Sequence, residues 1–235
     1  MGKDVIIACD FSNKEDVMKF LSKFNGESLY LKIGMELYYG EGPEIIKEIK
    51  KQGHKIFLDL KLHDIPNTVM KAMQVLAYLD IDMCNVHASG TISMMEAALK
   101  GLTREDRTRP LLVAVTQLTS TSEEIMKRDL LINEPIDEVV KHYAINAKNA
   151  GLDGVVCSPL EAKKVHRACG EQFLTITPGI RFATNDIGDQ ARVMTPAQAK
   201  EIGSDYIVVG RPITAAENVV EAYRRCVKEF VGTDI

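Results

Sequence analysis

Lys61 stands two residues after Asp59 and three before Asp64, in the stretch KIFLDLKLHDIPNT at residues 55–68. Acid, base and acid thus stand at close spacing, a set of groups able to carry and exchange charge at one place. Ile56, Phe57 and Leu58 read as a buried strand. Side chains alternate faces along a strand, so Asp59 and Lys61 are expected on the same side. Asp64 falls beyond the strand end, and Pro66 suits the first turn of a helix that carries Val69, Ala72, Met73 and Leu76 inward. The same triplet also suits a strand-end ion pair with Asp64 as an exposed turn residue. The spacing leaves both readings open, and the neighbouring strands must choose.

The elements that position these residues form a repeating series. Residues 5–9 (VIIAC) are an apolar run closed by Asp10, after which Asn13 caps a helix with Val17, Phe20 and Leu21 inward. Residues 29–33 (LYLKI) repeat the pattern with Lys32 near the end. Pro43 then opens a helix through Ile45, Ile46 and Ile49 that stops at Gly53. Residues 55–68 supply strand three, and 82–87 (DMCNVH) a weaker strand four, followed after Gly90 by a Met- and Ala-rich helix. Residues 111–115 (LLVAV), 154–157 (GVVC), 173–177 (FLTIT) and 205–209 (DYIVV) complete the strands. A short helical piece at 123–128 and a helix at 136–150 follow strand five, Pro159 starts another, and a final helix is predicted from Pro212 to about Val231. Apolar strands each followed by a helix imply an α/β chain with a covered parallel sheet. Eight such units predict a closed (β/α)8 TIM barrel forming one domain over residues 1–235, although a doubly wound open sheet has the same count.

In a barrel the ligand site lies at the carboxyl ends of the strands. There Asp10 ends strand one, Lys32 lies at the end of strand two, and Asp59 and Lys61 end strand three, with Asp64 adding a third acid just beyond it. Alternating charge on three successive strands is poor stabilisation, because desolvating charges is costly. That favours chemistry over a structural ion pair. After strands seven and eight, residues 177–181 (TPGIR) and 209–212 (VGRP) bring Pro178, Gly179 with Arg181, and Gly210 with Arg211 to one edge. Glycine admits an anion to the backbone and arginine offers a planar donor fork, so a phosphate is expected here. The irregular residues 181–195, with Gly188 as a hinge, read as a lid whose Gln190 donates to that phosphate on closing, while Arg192 reads as solvated. Residues 116–120 (TQLTS) supply hydroxyl and backbone groups suited to a polar ring.

Composition narrows the partners. The formal net charge of −4, with no run of Lys or Arg, shows no nucleic-acid footprint. Five cysteines, an odd number without CxxC spacing, read as reduced core residues. Neither a signal peptide nor a run of about 20 apolar residues is visible, which predicts a cytoplasmic protein off the membrane. The five histidines show no metal-ligand spacing. His63 reads as a surface or helix-facing residue with at most a minor role at the site. A metal on Asp10 and Asp59 would compete with Lys32 and Lys61, which already neutralise them.

From residue 5 to residue 213 the chain resembles the orotidine 5'-phosphate decarboxylase family in its short bacterial single-domain form. The resemblance is carried by DLKLHDIPNT at residues 59–68, by Asp10, by LKIG at 31–34, LTS at 118–120, PGIR at 178–181, Gln190 and GRPI at 210–213. It implies conversion of orotidine 5'-phosphate to uridine 5'-phosphate and CO2 in pyrimidine biosynthesis, without metal or organic cofactor. It also implies Lys61 as proton donor and Asp59 facing the substrate carboxylate. Lys32 and Asp10 are implied at the ribose hydroxyls, with Asp64 and Thr68 reaching the neighbouring subunit's site in a homodimer. Thr119 and Ser120 match the pyrimidine-reading segment, with Thr119 the better supported, and Arg181, Gln190, Gly210 and Arg211 the phosphate grip. The rivals are a magnesium-dependent sugar-phosphate decarboxylase or aldolase of the same barrel superfamily and a non-catalytic nucleotide-phosphate sensor. The former typically carries a glutamate where Lys32 stands, and the latter leaves the charged ring unexplained.

Overall fold

The apolar runs become strands because both of their faces are buried. In β1 (Asp4–Ala8), Val5 and Ile7 pack outward under helices while Ile6 and Ala8 pack into the barrel interior, and all four are buried. The computed structural model describes residues 3–182 and 193–233. The remaining strands are β2 (Tyr30–Gly34), β3 (Lys55–Leu62), β4 (Met83–His87), β5 (Leu111–Val115), β6 (Gly154–Val156), β7 (Leu174–Thr177) and β8 (Tyr206–Val209). They pair in parallel in chain order, and β8 pairs back to β1 to close the barrel. The chain thus folds as a (β/α)8 barrel, and the open sheet is set aside.

Around the barrel lie α1 (Lys14–Leu21), α2 (Met35–Glu41), α3 (Glu44–Lys51), α4 (Pro66–Leu76), α5 (Thr91–Leu102), α6 (Glu123–Leu130), α7 (Ile136–Asn149), α8 (Pro159–Cys169), α9 (Pro196–Ile202), α10 (Arg211–Thr214) and α11 (Val219–Phe230). The expected starts hold. Asn13 caps α1 by accepting from Asp16 N at 2.9 Å, and Pro66 and Pro159 occupy first-turn positions of α4 and α8. The larger of two apolar clusters lies between strands and helices, and the smaller, including Ile6, Tyr30, Phe57, Met83, Val113 and Ile176, fills the barrel. Close packing requires glycine at two points. A Cβ on Gly154 would stand 2.3 Å from Leu174 O, and one on Gly101 would stand 2.2 Å from Met70 O, where α5 meets α4.

Two sequence expectations are corrected. The single last helix is two, α10 and α11, because Asn218 adopts an extended backbone and caps α11 by accepting from Glu221 N at 3.1 Å. A helix expected only from Pro43 onward is preceded by α2, which starts directly at the end of β2. As expected, Asp59 and Lys61 lie at the end of the third strand, which runs to Leu62. The five cysteines are free and buried as expected. Gly188, Gln190 and Arg192, the hinge, phosphate donor and solvated residue of the expected lid, lie outside the described residues. The two ends flanking that segment are tied together, with Arg181 N donating to Met194 O at 2.9 Å and Met194 N to Gly179 O at 3.1 Å.

Candidate functional site

Period two along each strand decides which residues crown the barrel interior. Tyr30 and Phe57 fill it, so Lys32 and Asp59, two residues further on, stand at its carboxyl-end mouth. Lys61 continues the series, but through an irregularity. From Leu58 to Leu62 β3 advances four residues while its partner advances two, from Cys84 to Val86. Such a bulge re-aims a side chain, and Lys61 takes it up with a left-handed φ of +51°. The alternation expected from sequence therefore delivers Asp59 and Lys61 to one side, by way of a bulge it did not foresee.

The charged side chains form one chain of contacts. Lys32 Nζ lies 2.9 Å from Asp10 Oδ1 and 3.4 Å from Asp59 Oδ2, and Lys61 Nζ donates to Asp59 Oδ1 at 2.7 Å. A Cβ on Gly34 would come within 3.3 Å of Lys32 Nζ, so glycine at the end of β2 leaves space for that ammonium. Burial opposes ionisation of Asp59, but Lys32, Lys61 and the hydrogen bonds from Lys61 and Asn85 outweigh it and hold the carboxyl below its usual range. Burial likewise opposes the charge on Lys32, and Asp59 and Asp10 overcome it to raise the amine above its ordinary value. Burial first, then His63 and Lys61, lower the pKa of the half-buried His87 at the end of β4. The ring of His63 lies 5.8 Å from that of His87, on an exposed side chain as expected.

Lys32, Asp59, Lys61, Thr119 and Pro178 line one pocket of about 170 Å³, floored by Phe57, Val115, Val156 and Val208. Apolar walls with a few polar groups suit a flat ring. Gln117, from the 116–120 segment expected to read a polar ring, also lines it, as does Cys157, expected only as a core residue. Ser120 is exposed and does not line it, whereas Thr119 does. Beyond Pro178 and β8, Arg181 and Arg211 line a cavity of about 710 Å³ with Phe182, Asn218 and Arg225. Arg225 stacks over Phe182 at 4.1 Å, an arginine that spacing along the sequence did not indicate. Gly210, next to Arg211, lies near the charged side chains: a Cβ there would be 3.8 Å from Asp10 Oδ2.

Asp64 and Thr68 are not brought to the Lys32–Asp59–Lys61 pocket within the chain. They line a separate cleft of about 340 Å³ on the other side of Lys61, with Tyr39, His63 and Ala72. Both are exposed, and Asp64 Oδ1 accepts from Ile65 N at 2.6 Å. Conversely, sequence reasoning missed Asn85. This β4 residue, 1% exposed, donates to Asp59 Oδ1 at 2.7 Å and accepts from Lys61 N at 2.8 Å. Its signal was an amide at an inward position between Met83 and His87 in an otherwise apolar strand. Among the described residues, no three His, Cys, Asp or Glu side chains converge as a metal site.

Residues 3–226 match the family described as orotidine 5'-phosphate decarboxylase / HUMPS. The chain is 56% identical over 238 residues to an orotidine 5'-phosphate decarboxylase of Bacillus cytotoxicus, covering 100% of both sequences. It is equally similar, 56% over the same length and coverage, to one of Bacillus cereus. The crystal structure of orotidine 5'-phosphate decarboxylase from Lactobacillus acidophilus superposes with a TM-score of 0.86 at 45% identity, over 97% of this chain and 99% of that one. With a match spanning nearly the whole barrel and full-length relatives above half identity, this chain belongs to the orotidine 5'-phosphate decarboxylase / HUMPS family.

Proposed function

We propose that this protein is a carbon–carbon lyase that converts orotidine 5'-phosphate to uridine 5'-phosphate and CO2 without a cofactor. The observation that carries this reading is the charge chain Asp10–Lys32–Asp59–Lys61 at an apolar pocket of ring size, with a second, arginine-lined cavity formed by the residues that follow β7 and β8. The pyrimidine fits against Thr119 and Pro178, and Lys32 and Asp10 take the ribose hydroxyls. Arg181, Arg211 and Gly210 take the phosphate, with Gln190 from beyond the described residues.

With the phosphate anchored, the substrate carboxylate faces Asp59. Asp59 stays ionised, because its two lysines and Asn85 hold it so, and the repulsion between the two carboxylates is relieved as the carbon–carbon bond breaks. The electron pair remains on the ring carbon, where the Lys61 ammonium attracts it electrostatically. Lys61 Nζ then gives its proton to that carbon, CO2 departs, and the neutral amine regains a proton from solvent. Binding energy from the remote phosphate serves the transition state at the ring.

Lys32 supports the cofactor-free reading over the magnesium-dependent rival. It occupies the space between Asp10 and Asp59 and meets the charge of both, so neither carboxylate presents an unopposed pair of oxygens to a divalent cation. Full turnover of orotidine 5'-phosphate, followed by its ultraviolet change, is expected in excess chelator. Activity that vanishes and returns with magnesium would overturn the assignment.

The reading extends to a homodimer with two shared sites. Asp64 and Thr68 line an open cleft that adjoins the pocket at Lys61, and the nearby Tyr39 and Ile65 are exposed by 70% and 66%. Apolar side chains rimming a polar cleft suit a second copy of the chain in a two-fold contact. Mixing Asp64→Ala subunits with Lys61→Ala subunits is expected to rebuild one intact site per hybrid, recovering about a quarter of parental activity at statistical exchange. No recovery despite proven exchange counts against sharing. The five buried free cysteines and the absence, among the described residues, of a helix able to cross a membrane support a place in the reducing cytoplasm.

A further inference from the structure

The bulge in β3 takes the Lys61 backbone out of the regular ladder. Where β3 advances four residues against two on β4, the excess contains Lys61 at φ +51°, and an N–H in such a place needs another acceptor. Its acceptor is a side chain, Asn85 Oδ1, at 2.8 Å. The amide nitrogen of that same residue donates to Asp59 Oδ1 at 2.7 Å, the oxygen that also receives Lys61 Nζ. The amide's orientation follows from its partners, since a backbone N–H only donates and a carboxylate only accepts. Asn85 is 1% exposed, so water does not compete for either bond.

We infer that Asn85 is a positioning residue for decarboxylation: one planar amide ties the Lys61 main chain at the bulge to the Asp59 carboxylate, fixing where the ammonium stands relative to that acid. A left-handed lysine is held only where its surroundings over-determine it, and Asn85 supplies that constraint from the neighbouring strand. The same bond adds a neutral donor to Asp59 beside its two cations, which keeps the carboxylate ionised without adding another charge. Asn85 lies below the pocket lining and acts through Asp59 and Lys61. The inference therefore rests on the reading of Lys61 as proton donor.

Two variants test it. Asn85→Leu keeps the volume and deletes both bonds. Asn85→Asp keeps the shape and the acceptor but deletes the donor and sets a second carboxylate against Asp59. For Asn85→Leu, kcat is expected to fall about 100-fold, the scale of an ångström of misplacement, while the Kd of uridine 5'-phosphate stays within about 3-fold. Asn85→Asp is expected to lose at least as much. A residue needed only for packing would lower the Tm of both variants and leave kcat of the folded protein near parental. That outcome, or an equal loss in kcat and product affinity, overturns the inference. Should Asn85→Leu fail to fold, Asn85→Asp carries the same comparison. Lys61→Ala assayed alongside keeps the two readings apart: an active Lys61→Ala removes the proton donor itself, whereas an inactive one beside an active Asn85→Leu removes only the positioning role.

Discussion

Replacing Lys61 with alanine is expected to lower turnover of orotidine 5'-phosphate at least ~10⁴-fold while the barrel stays folded. Two contributions disappear together. The proton donor is worth roughly 10²- to 10⁴-fold, and the charge that stabilises the electron pair left on the ring carbon a further ~10²-fold. A loss of that size corresponds to about 5 kcal/mol of transition-state stabilisation. The fold should survive because Asp59, the most buried member of the charge chain, keeps Lys32 at 3.4 Å and Asn85 at 2.7 Å when Lys61 is cut back. Lys61 itself is only partly buried, so its removal leaves no sealed cavity. The ultraviolet change on loss of orotidine phosphate reads turnover, and far-ultraviolet circular dichroism with Tm reads the fold. A folded variant within a few-fold of the parent would take Lys61 out of the reaction.

Arginine 211 carries the second large effect, at the opposite end of the substrate. Arg211→Ala is expected to weaken uridine 5'-phosphate by roughly 10- to 100-fold, the worth of a charge-assisted hydrogen-bonding pair, while free uridine changes by less than about 3-fold. Calorimetry on both ligands makes the comparison. Because remote binding energy is spent at the reacting ring, kcat/KM should fall at least as far as the affinity does. The position supports the asymmetry: Arg211 opens α10 at the mouth of the cavity it shares with Arg181, beyond the pocket that contains Lys32, Asp59 and Lys61. Equal losses for nucleotide and nucleoside would place the phosphate elsewhere.

These two effects bracket the substrate. In the proposed reaction the lysine acts on the bond that breaks and the arginine on a group that does not react. A chain in which only the second mattered would be the nucleotide-phosphate sensor weighed against the enzyme. The contrast between Lys61→Ala, losing turnover, and Arg211→Ala, losing affinity for phosphate-bearing ligands, separates the two.

Much of this was legible in the sequence because local rules carry it. Strand periodicity placed Lys32 two residues beyond Tyr30 and Asp59 two beyond Phe57, and capping chemistry marked Asn13, Pro66 and Pro159 as helix starts. Eight apolar runs, each with its helix, left few arrangements other than a closed barrel. Closure of the barrel, the bulge in β3 and the contacts of Asn85 were decided only in three dimensions. They depend on which strands become neighbours, and Asn85 reaches Lys61 across 24 residues of chain. The same reason governs Asp64 and Thr68. Their identity is written locally, but their place is set by how the turn after β3 packs, which puts them, exposed, in a cleft beside Lys61 and not in the pocket with Lys32 and Asp59. Types and spacings determined which chemistry was available, and tertiary packing decided which groups meet, because charges and amides act over a few ångströms of space and not along the chain.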